Sequence, residues 1–124
     1  MRKQYYFRQS PRGLLAWDVD RLVDLTALFP PKKVPLGEIR ELDHQDVFGD
    51  DGRHTWRSML AHLALIDAAD LSYPIILSAD GSVMDGMHRV CKAVREGRET
   101  IDAVQFTVDP EPDFVDRRPE ELPY

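Results

Sequence analysis

Cysteine is almost missing from this chain: Cys91 stands alone among 124 residues, so no internal disulfide is available and stability must come from a packed core. No apolar run approaches the roughly 20 residues that cross a bilayer. At the N-terminus, Met1-Arg-Lys leads into three aromatics and then Arg8 and Pro11, which is not the apolar core of a secretory leader. A cytoplasmic protein with no membrane partner is the expectation. An excess of basic charge is lacking too. Lys and Arg number 16 against 22 Asp and Glu, for a net charge of −6 and a pI near 5.1. A surface of that sign repels a polyanion and makes duplex DNA an unfavourable direct partner. Local basic clusters remain at Arg2, Lys3, Arg8 and Arg12, and at Arg89, Lys92, Arg95 and Arg98.

What is present is a chain 43% hydrophobic, enough for one core and too short for two domains. Residues 4 to 8 read as a short edge strand broken by Pro11-Arg-Gly13. Their aromatic and basic mixture suits single-stranded nucleic acid or, more simply, a charged edge over a core. Asp18 is placed to cap a helix running through Leu28 and stopped by Pro30-Pro31, with Val19, Leu22, Val23 and Thr26 on one side. Lys33 to Leu36 reads as extended, Gly37 to Leu42 as a bend or helical turn, and Asp43 to His54 as an irregular polar loop. Thr55 opens a second helix, whose stripe of Trp56, Met59, Leu60, Leu63 and Ile66 predicts a buried core face running to Leu71, with His62 at its edge.

The segment from Tyr73 to Gly97 is where structural signals and chemistry coincide. Ile75 to Leu77 predicts a strand, and Asp80-Gly81 a two-residue hairpin turn returning through Ser82-Val83-Met84. Asp85 is expected to cap a helix that buries Met87, Val90, Cys91 and Val94 and ends at Gly97. His88 and Arg89 in the first turn oppose the helix dipole by roughly 0.3 to 1 kcal/mol per full charge. A bound anion reverses that sign. Free N–H groups near Gly86 and Met87, together with an arginine fork, describe a phosphate cradle; the plainer alternative is that Arg89 pairs with Asp85 while His88 merely packs. Thr100 to Val108 then predicts an interior strand apolar on both faces. The acidic, Pro-rich tail from Asp109 is expected to be extended or disordered, with Leu122 and Tyr124 able to dock back.

This order of elements, with Asp85-Gly86-Met87-His88-Arg89 at the start of a helix, resembles the ParB/sulfiredoxin superfamily over residues 34 to 108. The resemblance implies a compact single-domain α+β fold, a small mixed sheet flanked by helices, preceded by an extension at 1–33 and followed by a tail at 109–124. Chromosome-partitioning ParB proteins carry Gly-Glu-Arg-Arg at this position, of which Gly86 and Arg89 match. Their helix-turn-helix domain has no counterpart in these residues, so centromere binding does not transfer. Sulfiredoxins carry Gly-Gly-Cys-His-Arg, with the cysteine as nucleophile; Met87 occupies that place, which removes the reductase chemistry, and Cys91 is expected to be an inert core thiol. The Asp-Gly-His-His-Arg of ParB-like free serine kinases is matched at Asp85, Gly86, His88 and Arg89.

The kinase-like resemblance implies a nucleoside di- or triphosphate with Mg²⁺ held at Asp85 to Arg89, and a glutamate base. Glu41 is the candidate base, with Glu38 and Asp43 as rivals, and Asp46 is a candidate metal ligand in the acidic loop. The implied function is a nucleotide- or phosphate-binding domain capable of acting as a small-molecule phosphotransferase. Two alternatives stand beside it. One is a ParB-like nuclease or phosphodiesterase using Asp43 and Asp46. The other is a non-enzymatic regulatory module with a protein partner on residues 109–124.

Overall fold

The computed structural model describes residues 3–44 and 55–124; the loop carrying Asp46 and His54 lies outside the described residues. Its strands are β1 (Tyr5–Ser10), β2 (Gly13–Asp18), β3 (Lys32–Pro35), β4 (Ile75–Leu77), β5 (Val83–Asp85), β6 (Thr100–Gln105) and β7 (Phe114–Val115). The helices are α1 (Val19–Thr26), α2 (Trp56–Ala68) and α3 (Met87–Arg95), with short 3-10 turns at Leu36–Glu38, Arg40–Asp43 and Pro119–Glu121. One sheet has the order β3-β6-β4-β5, with β4 and β6 parallel and the other pairs antiparallel. The second has the order β1-β2-β7 and is antiparallel throughout. This is an α+β single-domain fold.

The four-stranded sheet is buried on both sides because its strands alternate between two apolar sets. Ile75, Leu77, Val83, Ile101 and Ala103 face a core closed by Val90 and Ala93 of α3 and by Leu36 and Ile39 of the 3-10 segment. Ile76, Met84, Val104 and Phe106 face the opposite core, completed by Leu15 and Trp17 of β2 and Leu22 of α1. The interior position expected for the 100–108 strand follows from this pairing, although the strand ends at Gln105 and Val108 is exposed.

Local signals explain most elements. The Asp18 side chain accepts from the Asp20 N–H at the start of α1. Thr55 and Ser58 form a reciprocal capping box on α2. At the end of α3, the Arg98 N–H donates to the Ala93 carbonyl and the Gly97 N–H to Val94, with Gly97 at φ +75°, a Schellman closure.

Several expectations need correction. The β4–β5 loop is longer than a two-residue turn: Gly81 N–H donates to the Ser78 carbonyl and Ser78 N–H to Ser82, leaving Ala79-Asp80-Gly81 between them. Ser78, Ser82 and the Ser82 main chain hold the Asp80 carboxyl well below the usual range. Asp85 ends β5 and does not cap α3; the cap is Gly86 at φ +112°. Within α3 the fully buried residues are Val90 and Ala93, while Cys91 is half-buried and Val94 exposed, so the inner face is rotated toward the small alanine. The largest difference is α2, where none of the described residues is buried and Trp56 is 81% and Leu60 65% exposed. Its apolar stripe is real, but it does not form core.

β2 carries no expectation from the sequence, yet it organises both ends of the chain. β7 pairs along it at Leu15↔Val115 and Ala16↔Phe114. The Trp17 indole donates to the Pro110 carbonyl at 2.8 Å. Beyond β7 the tail is extended and packed: Leu122 is buried, and the Tyr124 ring stacks edge-on against Tyr5 at 5.3 Å. Leu122→Ala should therefore lower stability by about 2–3 kcal/mol in chemical denaturation; a change near zero would show that the tail does not pack on the domain.

Candidate functional site

The residues of the predicted motif come together where β5 meets α3. Asp85, Gly86, Met87, His88 and Arg89 all line a cleft of about 1200 Å³. Its other walls come from Gln4 to Phe7 at β1, Val19 and Val23 of α1, and the Ala69–Pro74 connection into β4. The lining is largely apolar, with polar groups gathered at the helix start, the composition of a small-molecule site. As the first turn of a helix, Met87, His88 and Arg89 have main-chain N–H groups without intrahelical acceptors, and they lie at the positive end of the α3 dipole.

Gly86 has a steric reason to be glycine. Its φ of +112° disfavours any L side chain, and a Cβ there would stand 2.6 Å from Cγ2 of Ile75 and 3.0 Å from the Arg89 guanidinium. The close approach is thus to β4, a buried strand of the molecule itself.

Arg89 is likewise committed to the fold. Its Nη1 donates to the carbonyls of Tyr73 at 3.1 Å and Pro74 at 2.8 Å, and its Nη2 donates to Asp85 Oδ2 at 2.9 Å. Both side chains of this pair are mostly buried, at 16% and 21% exposure. The Asp85 pairing foreseen as the plainer alternative occurs, in a half-buried rather than a surface setting. The guanidinium still borders the cleft, but Asp85 balances its charge.

His88 is half-buried, and burial, followed by the neighbouring His62 ring 5.7 Å away, depresses its pKa. Cys91 is also half-buried, and burial pushes its thiol up, away from thiolate reactivity. The candidate acids sit elsewhere. Glu41 Oε2 accepts the Val83 N–H at 2.6 Å, while its Oε1 is buried without a hydrogen-bond partner among the described residues. Asp43 and Glu38 are exposed. None of these three is among the described residues that line the cleft. Among the described residues, no group of three or more His, Cys, Asp or Glu is arranged to hold a metal ion; Asp46 lies outside them.

Among the described residues, the basic clusters are engaged locally. Lys3 pairs with Asp18 and Asp20, Arg8 with Asp109, and Arg12 with Glu111. Arg8 also lies over the Trp17 ring at 5.0 Å. In the second cluster Arg95 pairs with Asp67 and Arg98 with Glu96, and Lys92 donates to the Asp67 and Ala69 carbonyls. The β1 aromatics are similarly occupied, since Tyr6 packs on Trp17 and Tyr5 on Phe114 and Tyr124. The strand expected at residues 4 to 8 and the helix face expected at Val19 and Val23 are present, but nothing in their sequence pattern marks them as walls of a cleft.

No helix of the described residues is long and apolar enough to cross a membrane. The chain matches no family model, no curated protein and no solved structure.

Gly86→Ala should cost about 2–4 kcal/mol, combining left-handed strain with overpacking against Ile75; equal midpoints in urea would contradict that packing. For His88 the sign follows from its lowered pKa: below the ordinary value of 6.5 the unfolded chain binds a proton more readily than the folded one. The His88 contribution to stability should thus be level above that pH and fall as pH drops from 6.5 through the lower folded value, and His88→Gln should flatten that part of the slope. A pH–stability profile of both proteins checks it.

Proposed function

We propose that this protein binds a small molecule bearing a phosphate or comparable anion, with a nucleoside di- or triphosphate as the leading candidate. The observation that carries the reading is that all five residues from Asp85 to Arg89 border the same large, mostly apolar cleft. The α3 amides and His88 would receive the anion, and the walls near Phe7, Val23 and Tyr73 would accept its apolar or aromatic body. Arg89 would act partly by direct charge and partly by fixing the helix start against the Tyr73 and Pro74 carbonyls. The ParB/sulfiredoxin resemblance agrees with this reading through Gly86 and Arg89.

Phosphotransfer is the second reading, and Glu41 favours it. A buried carboxylate oxygen without a partner is costly to leave so, and the other oxygen of this carboxylate is joined to Val83, two residues before Asp85. In that reading Glu41, which stands outside the cleft lining, would have to be brought to the acceptor; its Oε1 would take the hydroxyl proton as the hydroxyl oxygen bonds to the terminal phosphorus and the nucleoside diphosphate leaves with Mg²⁺.

Calorimetry with nucleoside triphosphate and Mg²⁺, beside inorganic phosphate, tests the binding reading. Wild type should bind, His88→Ala should weaken binding by about fivefold to tenfold, and Arg89→Ala by more than tenfold. Because Arg89→Ala also leaves Asp85 half-buried and unpaired, it should lose about 2–3 kcal/mol of stability, so its fold is checked by circular dichroism in parallel. No binding to wild type at low salt would overturn the proposal. If Glu41→Gln leaves binding intact and abolishes turnover, phosphotransfer is supported; intact nucleotide with wild type in the presence of acceptor hydroxyls sinks it.

A further inference from the structure

The helix α2 is unusual for a surface element. Between Trp56 and Ile66 its only charged residue is Arg57, yet no residue of the helix is buried. The side turned toward the domain is the row Ser58, His62 and Ile66, each half-buried and spaced four residues apart. The apolar row Trp56, Met59, Leu60 and Leu63 lies at i, i+3, i+4 and i+7 on a different face, with exposures of 81%, 42%, 65% and 38%. A helix apolar on most sides is normally covered.

We infer that this face pairs with α2 of a second copy of the chain, in an antiparallel arrangement about a two-fold axis near Leu60 and Leu63. Area is the first argument. The four side chains expose together on the order of 400 Å², comparable to the largest apolar patch of a typical monomer, the kind that often serves a function. Two such patches with their margins reach the roughly 1,000 Å² that a specific interface requires.

Charge is the second. Arg57 has no ion pair among the described residues, whereas Asp67, at the opposite end of the helix, keeps 66% of its side chain exposed although it pairs with Arg95. An antiparallel two-fold brings the Arg57 end of each helix beside the Asp67 end of the other. The same arrangement opposes the helix dipoles favourably. It places Leu60 against Leu63 of the second copy, making the pattern self-complementary as a two-fold interface must be. This inference is independent of ligand binding in the cleft.

Sedimentation equilibrium of the full chain is the test, on wild type, Leu60→Glu, Arg57→Asp, Asp67→Arg and the double swap. Leu60 is exposed, so Leu60→Glu should fold with an unchanged circular dichroism spectrum and dissociate at least roughly tenfold more readily. Each single charge reversal should weaken the dimer a few-fold, and the double swap should restore it. A wild type that stays monomeric up to high micromolar concentration overturns the inference, as does a dimer indifferent to Leu60→Glu. A dimer that the double swap fails to restore overturns the antiparallel arrangement.

Discussion

The half-buried ion pair between Arg89 and Asp85 is the constraint around which the candidate site is built. Its guanidinium joins three pieces of chain: the end of β5 through Asp85, the entry to β4 through the Tyr73 and Pro74 carbonyls, and α3, from which it projects. Gly86 makes this possible, since only a residue without a Cβ turns the chain at φ +112° while touching Ile75. The helix start is therefore fixed to the two-sided sheet. A site whose donors are held by packing binds an anion without first ordering them. The same economy limits Arg89, because a guanidinium already balanced by a carboxylate attracts an anion less strongly than a bare one.

The two cores explain why the cleft lies where it does. α3 and the 3-10 segment cover one face of the four-stranded sheet, while β2 and α1 cover the other. The α3 start emerges at the margin between these layers, and β1 and α1 form the opposite wall. The C-terminal segment contributes to the same arrangement: Asp109 joins Arg8 to the Ala79 N–H, and Pro110 accepts from Trp17. Residues at both ends of the chain thus brace the wall facing the motif.

Much of this was legible in the sequence, and the exceptions have physical causes. Asp18, Thr55 and Gly97 announced their helix ends because capping is local chemistry. Strand β6 announced its central position because both its faces are apolar. Asp85 misled because its carboxylate could cap a helix or pair with Arg89, and the choice was settled by the left-handed turn at Gly86. The α2 stripe was visible, but periodicity reports that a face is apolar and not what covers it. β2 was obscured because Leu14-Leu-Ala-Trp17 is too short a run to separate strand from helix without knowing its partners. The cleft walls at Gln4 to Phe7 and at Val19 and Val23 come from segments more than 60 residues before the motif in the chain, a juxtaposition no local pattern encodes.

Anion binding at the start of α3 is best probed by amide NMR during titration with nucleoside triphosphate and Mg²⁺. A ligand seated there should give saturable shifts concentrated at Gly86 to Arg89, with smaller ones along Tyr5 to Phe7 and at Tyr73. Shifts spread thinly over exposed basic residues, with Met87 and His88 unmoved, would contradict it.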